Sequence, residues 1–132
     1  GAPGAAEALQ KLADQRENDD GAFTITTGVA LLPDMQPDVL EHFDALYDYV
    51  QVMGINRIGR QGSAFEPQSL ALIERLRKRY PDLAIQVDGG VTLERARQFV
   101  SAGANRLVTG SAIFNTDDAI AAYNALYTEV NA

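Results

Sequence analysis

The stretch AIQVDGGVTLERARQFVSAGANRLVTG, residues 84–110, decides the fold. It opens on a short apolar run that ends in Asp88-Gly89. It then carries Leu93, Ala96 and Val100 at helical spacing, breaks at Gly103, and runs again through Arg106-Leu-Val-Thr-Gly110. That pattern reads as strand, helix, strand. Two strands joined by a helical crossover lie parallel, with a right-handed connection.

Working outward, the same design recurs upstream. Tyr49-Val-Gln-Val-Met-Gly54 and Phe23-Thr-Ile-Thr-Thr-Gly28 read as earlier strands, each closing on a glycine. Glycine there permits a sharp turn or a close approach of another group. Leu72, Ile73, Leu76 and Tyr80 mark a helix before the third strand, and Pro81 lies just past its end. Pro33 and Pro37 confine the first connecting helix to about Asp38–Leu46. Ala119, Tyr123, Leu126 and Val130 form a last helical stripe. Ala5, Leu9, Leu12 and Ala13 predict a leading helix, closed by Asp19-Asp20-Gly21.

One helix followed by four βα units predicts an α/β fold with a parallel sheet. A complete (β/α)8 barrel takes roughly 250 residues, and this chain has 132. The expectation is therefore half of a (β/α)8 TIM barrel, a single domain over residues 1–132. Gly1 to Gly4 read as an engineered remnant or a frayed terminus. Such a half exposes an apolar inner face and two strand edges, so completion by homodimerisation is expected.

The formal charge of −7 argues against nucleic acid as a partner. Any anion site must be built locally, from backbone amides and a few arginines. No apolar run is long enough to cross a membrane, and no leader is evident. Cysteine is absent, which removes disulfides and thiolate metal sites. A cytoplasmic location is expected.

In α/β folds ligands gather at the carboxyl ends of the strands. Here those ends offer Thr27, Met53, Asp88 and Thr109, each followed by glycine. Only Asp88 ionises. It can exchange protons or hold a hard metal ion, or it can simply begin a turn. Gly89-Gly90 and Gly110-Ser111 each follow a strand and lead into helical sequence. Bare amides at such places bind phosphate; tight turns without a ligand are the alternative. The loop Asn56–Phe65, with Gly59, Gly62 and two arginines, either closes over an anionic substrate or is a solvated connection. Met53 is either core or pocket lining. His42, the single histidine, falls in the short Asp38–Leu46 helix and reads as a surface residue. The run Arg75, Arg77, Lys78, Arg79 reads as the wet face of an amphipathic helix.

Three segments resemble the ribulose-phosphate 3-epimerase family. They are Val50-Gln-Val-Met-Gly-Ile-Asn56, the run from Arg79 through Ile85-Gln-Val-Asp-Gly-Gly-Val91, and the run from Ser101 through Gly110-Ser-Ala-Ile-Phe114. The resemblance spans roughly Phe23 onward and corresponds to the family's last four strands. It implies a pentulose-phosphate epimerase whose two aspartates exchange the C3 proton beside a divalent metal. Asp88 matches the second aspartate, which is both acid/base and metal ligand. Gly89, Gly90, Gly110 and Ser111 match phosphate-cradling positions, and Met53 matches a methionine over the substrate. The family's Asn-Pro-Gly-Phe-Gly-Gly-Gln loop is replaced by Asn56-Arg-Ile-Gly-Arg-Gln-Gly62, leaving Gly59 and Gly62 as its candidate contacts. The partner aspartate, the two metal-binding histidines and an early serine belong to the family's first half. The resemblance thus implies sugar phosphate or phosphate binding, no metal held by this chain alone, and epimerase activity lost or weak. The alternatives are an inert self-associating half-barrel, or an active enzyme once a missing half is supplied.

Overall fold

The computed structural model describes residues 4–18, 25–43, 45–55 and 65–132. Helix α1 (Ala5–Asn18) leads. Strand β1 (Gly28–Leu31) follows, then a 3₁₀ segment (Pro37–Phe43) and β2 (Tyr49–Met53). Next come α2 (Gln68–Arg79), β3 (Ala84–Asp88), α3 (Leu93–Ala102), β4 (Arg106–Val108), a single turn α4 (Ser111–Phe114), and α5 (Ala119–Asn131).

The four strands are parallel and lie in chain order, β1-β2-β3-β4. A doubly wound sheet reverses its order at a switch point; this one does not. Strand pleating separates two faces. Leu31, Val50, Val52, Ile85 and Val87 are all sealed on one face, together with Leu72, Ile73 and Leu76 of α2 and Phe99 of α3. Burying each such side chain is worth about 1.5–3 kcal/mol. The helices therefore cover one side only, as in one arc of a (β/α)8 barrel.

The other face is concave-side sequence without the expected character. At one level across the sheet the register aligns Ala30, Gln51, Gln86 and Arg106. Inner layers of closed barrels are built mainly from branched apolar side chains. At this level the expected apolar inner layer is replaced by two amides and a guanidinium, while Tyr49, Met53 and Val108 keep apolar character on the same face. The Arg106 guanidinium lies over the Tyr49 ring, 5.6 Å from its centroid.

Several boundaries differ from expectation for identifiable reasons. Of the expected strand Phe23–Gly28, Phe23 and Thr24 lie outside the described residues and Ile25 to Thr27 are not strand; the first strand is Gly28–Leu31. Thr27 sits at the opposite end, where its amide donates to Asp48 Oδ2 (2.7 Å) and its hydroxyl to the Leu46 carbonyl (3.1 Å). Gly28 is inside the ladder because a Cβ there would fall 2.4 Å from the Tyr49 ring. The Asp38–Leu46 helix is a 3₁₀ segment bounded by Pro37. Asp19-Asp20-Gly21 lie outside the described residues.

Helix α3 buries Ala96, Phe99 and Ala102, not Leu93 and Val100, which are exposed. Phe99, wedged against Phe65 edge-on with centroids 5.8 Å apart, sets the phase instead. Helix α5 buries Leu126 and leaves Tyr123 outside, stacked on Tyr127.

Arg77 departs from its expected wet face. It donates to the carbonyls of Gly103 (2.8 Å), Tyr80 (3.3 Å) and Pro81 (2.7 Å), and to Asn105 Oδ1 (2.6 Å). It ties the ends of α2 and α3 together, and Asn105 passes the tie to β3 through the Ile85 amide. Gly103, at φ +122°, leaves just enough room for the Arg77 stem. Among the described residues, no helix is long and apolar enough to cross a membrane.

Candidate functional site

Met53 and Asp88 are register partners at the carboxyl ends of β2 and β3, and Thr109-Gly110 leave β4 at the same rim. Three of the four expected strand-end residues therefore share one edge of the sheet. Thr27 does not. Thr109 points to the helix side, next in the alternation after Val108, and its hydroxyl is buried without a hydrogen-bond partner.

Asp88 is half-buried on the concave face. Gln51 Nε2 reaches its Oδ2 at 3.5 Å and the Met53 sulfur at 3.4 Å. Gln86 Nε2 donates to Gln51 Oε1 at 2.6 Å. Asp88 therefore does not cap a helix. Thr92 does that, its hydroxyl accepting from the Arg95 amide at 3.3 Å. Met53 is buried beside the carboxylate, with 8% of its surface exposed. The sequence offered no signal for Gln51 and Gln86, because a glutamine in a strand normally reads as a solvated position.

The glycines divide into two kinds. Gly89 and Gly90 adopt φ of +93° and +69°, a region that side chains resist. A Cβ on Gly89 would lie 2.9 Å from Ile55, and one on Gly90 3.2 Å from Phe65. The pair is thus packed beneath the end of β2, and two residues, Val91 and Thr92, separate it from α3. The sequence predicts that this pair opens the helix; instead Thr92 caps α3, because the positive-φ glycines are taken up by the turn. Arg95 holds the turn, donating to the Gly90 carbonyl (3.2 Å) while its guanidinium covers Phe65, 4.5 Å from the ring centre.

Gly110 is the other kind. A Cβ there would meet nothing within 4 Å. Ile113 and Phe114 donate to its carbonyl, so the amides of Ser111 and Ala112 precede the first bonds of this turn. Ser111 is exposed beside them. Gly59 and Gly62 lie outside the described residues.

A divalent metal needs several hard donors. Among the described residues no three His, Cys, Asp or Glu side chains cluster. Asp88 has an amide and a thioether beside it, and His42 is exposed on the 3₁₀ segment. These residues do not by themselves fit a metal site.

Residues 8–114 match the ribulose-phosphate 3 epimerase family, and the chain belongs to that family. It is 40% identical over 88 residues to the ribulose-phosphate 3-epimerase of Schizosaccharomyces pombe, covering 67% of this chain and 38% of that protein. It is 40% identical over 100 residues to the enzyme of the same name from Bacillus subtilis, covering 71% of this chain and 45% of the relative. The chain thus spans less than half the length of these two curated relatives. Among solved structures, 3-hexulose-6-phosphate synthase superposes with a TM-score of 0.64 at 25% identity, over 95% of this chain and 55% of that one.

Proposed function

We propose that this chain is the half of a (β/α)8 epimerase barrel that grips a pentulose 5-phosphate and supplies one of its two proton-transfer groups. The observation that carries the reading is the shared rim: Met53, Asp88 and Gly110 stand at the same ends of adjacent strands, within the region that matches the family. In this reading Asp88 removes the C3 proton. The C–H electron pair moves toward the C2 carbonyl, and the resulting enediolate takes a proton back at C3. The open amides of Ser111 and Ala112, in the turn begun by Gly110, receive the phosphate, with the Gly89-Gly90 turn as the neighbouring wall and Met53 over the sugar.

Inversion at C3 needs a donor on each face of the enediolate. Asp88 serves one face. The second carboxylate and the donors of a divalent metal must come from outside the described residues. The 132-residue chain alone is therefore expected to bind the sugar phosphate and to exchange its C3 proton slowly, with little inversion. For this chain in isolation, the simplest closure is a second copy related by a two-fold axis, which pairs both strand edges.

The test is titration of the chain with ribulose 5-phosphate, followed by deuterium wash-in at C3. Asp88→Asn is expected to keep binding and to lose wash-in. Absence of binding at millimolar ligand would overturn the reading. Wash-in that survives Asp88→Asn would remove Asp88 from its role.

A further inference from the structure

The polar row on the concave face has no place in barrel packing, where branched apolar side chains dominate the inner layers. Its hydrogen bonds have a direction. Gln86 uses its NH₂ group to donate to Gln51 Oε1 at 2.6 Å. That contact fixes the Gln51 amide, because turning it over would set two donors against each other and two acceptors at Asp88. Gln51 must then present its own NH₂ to Asp88 Oδ2, and it does so at 3.5 Å. The register confirms the path: Gln51 pairs with Gln86, and Asp88 lies two residues further along the same face of β3.

We propose that Gln51 is a positioning residue for Asp88, oriented in turn by Gln86. The relay holds one carboxylate oxygen and leaves Oδ1 to face the substrate. The Gln51–Asp88 contact, at 3.5 Å, lies at the long end of the hydrogen-bond range, so the amide steers the carboxylate without gripping it. The Met53 sulfur, 3.4 Å from the same amide nitrogen, narrows the arc through which the amide can swing. Arg106, the other charged residue aligned on this face, is in register with Gln86 and lies against Tyr49, so it does not take Gln51's place. The role in turnover rests on the epimerase reading above; the relay itself does not.

Two measurements separate the two claims. The first is the side-chain amide NMR spectrum of the 132-residue chain. Asp88→Asn and Gln86→Leu are each expected to shift the Gln51 NH₂ resonances, while the amide of exposed Gln98 stays put. Gln51 signals that ignore both changes would overturn the relay, whatever the chain catalyses. The second is C3 deuterium wash-in from ribulose 5-phosphate. Gln51→Leu and Gln51→Glu are expected to slow wash-in about tenfold with KM unchanged. Gln51→Glu keeps the acceptor for Gln86 but sets an oxygen against Asp88. Loss through KM alone, or full activity in Gln51→Glu, would overturn the positioning role. A wild-type chain that binds no sugar phosphate would sink the epimerase reading and leave the NMR result to decide the relay. Should Gln51→Leu fail to fold, Asp88→Asn and Gln86→Leu still decide it.

Discussion

Gly54 and Gly89 approach so closely that a Cβ on Gly54 would lie 1.9 Å from the Gly89 carbonyl oxygen. The contact follows from the ladder: the Gly54 amide donates to the Asp88 carbonyl at 2.8 Å, which draws the two strand ends together just beneath the rim. Gly54→Ala is expected to destabilise the fold by about 3 kcal/mol, since rigid backbone rather than a flexible side chain must give way. Urea unfolding measures this. Gly110→Ala, with open space around it, is expected to cost well under half as much and to act on phosphate binding instead.

Arg77 is predicted to be worth more than any other residue of its basic run. Arg77→Met removes four acceptors' partner at once and is expected to cost about 1–3 kcal/mol. Arg75→Met and Lys78→Met, both exposed, should stay within about 0.5 kcal/mol. Chemical denaturation of the three variants side by side checks the ranking.

These two cases show what the sequence could and could not convey. Periodicity and glycine punctuation suffice for the parallel βα order, for α2, and for the strand ends at Met53 and Asp88. They fail at Ile25-Thr-Thr27, where β-propensity favours the wrong segment. The ladder goes to Gly28–Leu31, since a Gly in the strand admits the Tyr49 ring. They fail at Arg77, because only tertiary contact distinguishes it from its exposed neighbours. The shared strand-end rim was legible: Met53 and Asp88 are register partners at the ends of β2 and β3. Yet Gly89 and Gly90 answer first to positive φ and to Ile55 and Phe65, which a local reading of Asp-Gly-Gly cannot reveal. Gln51 and Gln86 carry no signature until the strands are aligned.

If two copies close one barrel, both Arg106 side chains lie on the enclosed face with no carboxylate at their level of the sheet. Uncompensated charge in such a layer opposes association. Arg106→Leu is accordingly expected to tighten the dimer roughly tenfold. Sedimentation equilibrium of the wild type and the variant provides the comparison, and a variant that associates no better would argue that the copies meet elsewhere.

Burial raises the pKa of the Tyr47 phenol above its ordinary value, and the nearby Tyr80 adds to the effect. The folded state thus favours the protonated phenol. This contribution is intact below the unfolded value of 10.0 and is lost as pH rises through the higher folded value. Stability should fall in alkali, and less steeply in Tyr47→Phe, as followed by thermal melts across that range.

The glutamines and the arginine give the sheet a side that tolerates water. Such a surface does not have to be sealed at the moment the strands assemble, so the helix-clad arc can mature first and accept its complement afterwards. The same property marks where a finished cylinder would part: along this hydrated seam, with the hydrocarbon layer between strands and helices yielding last.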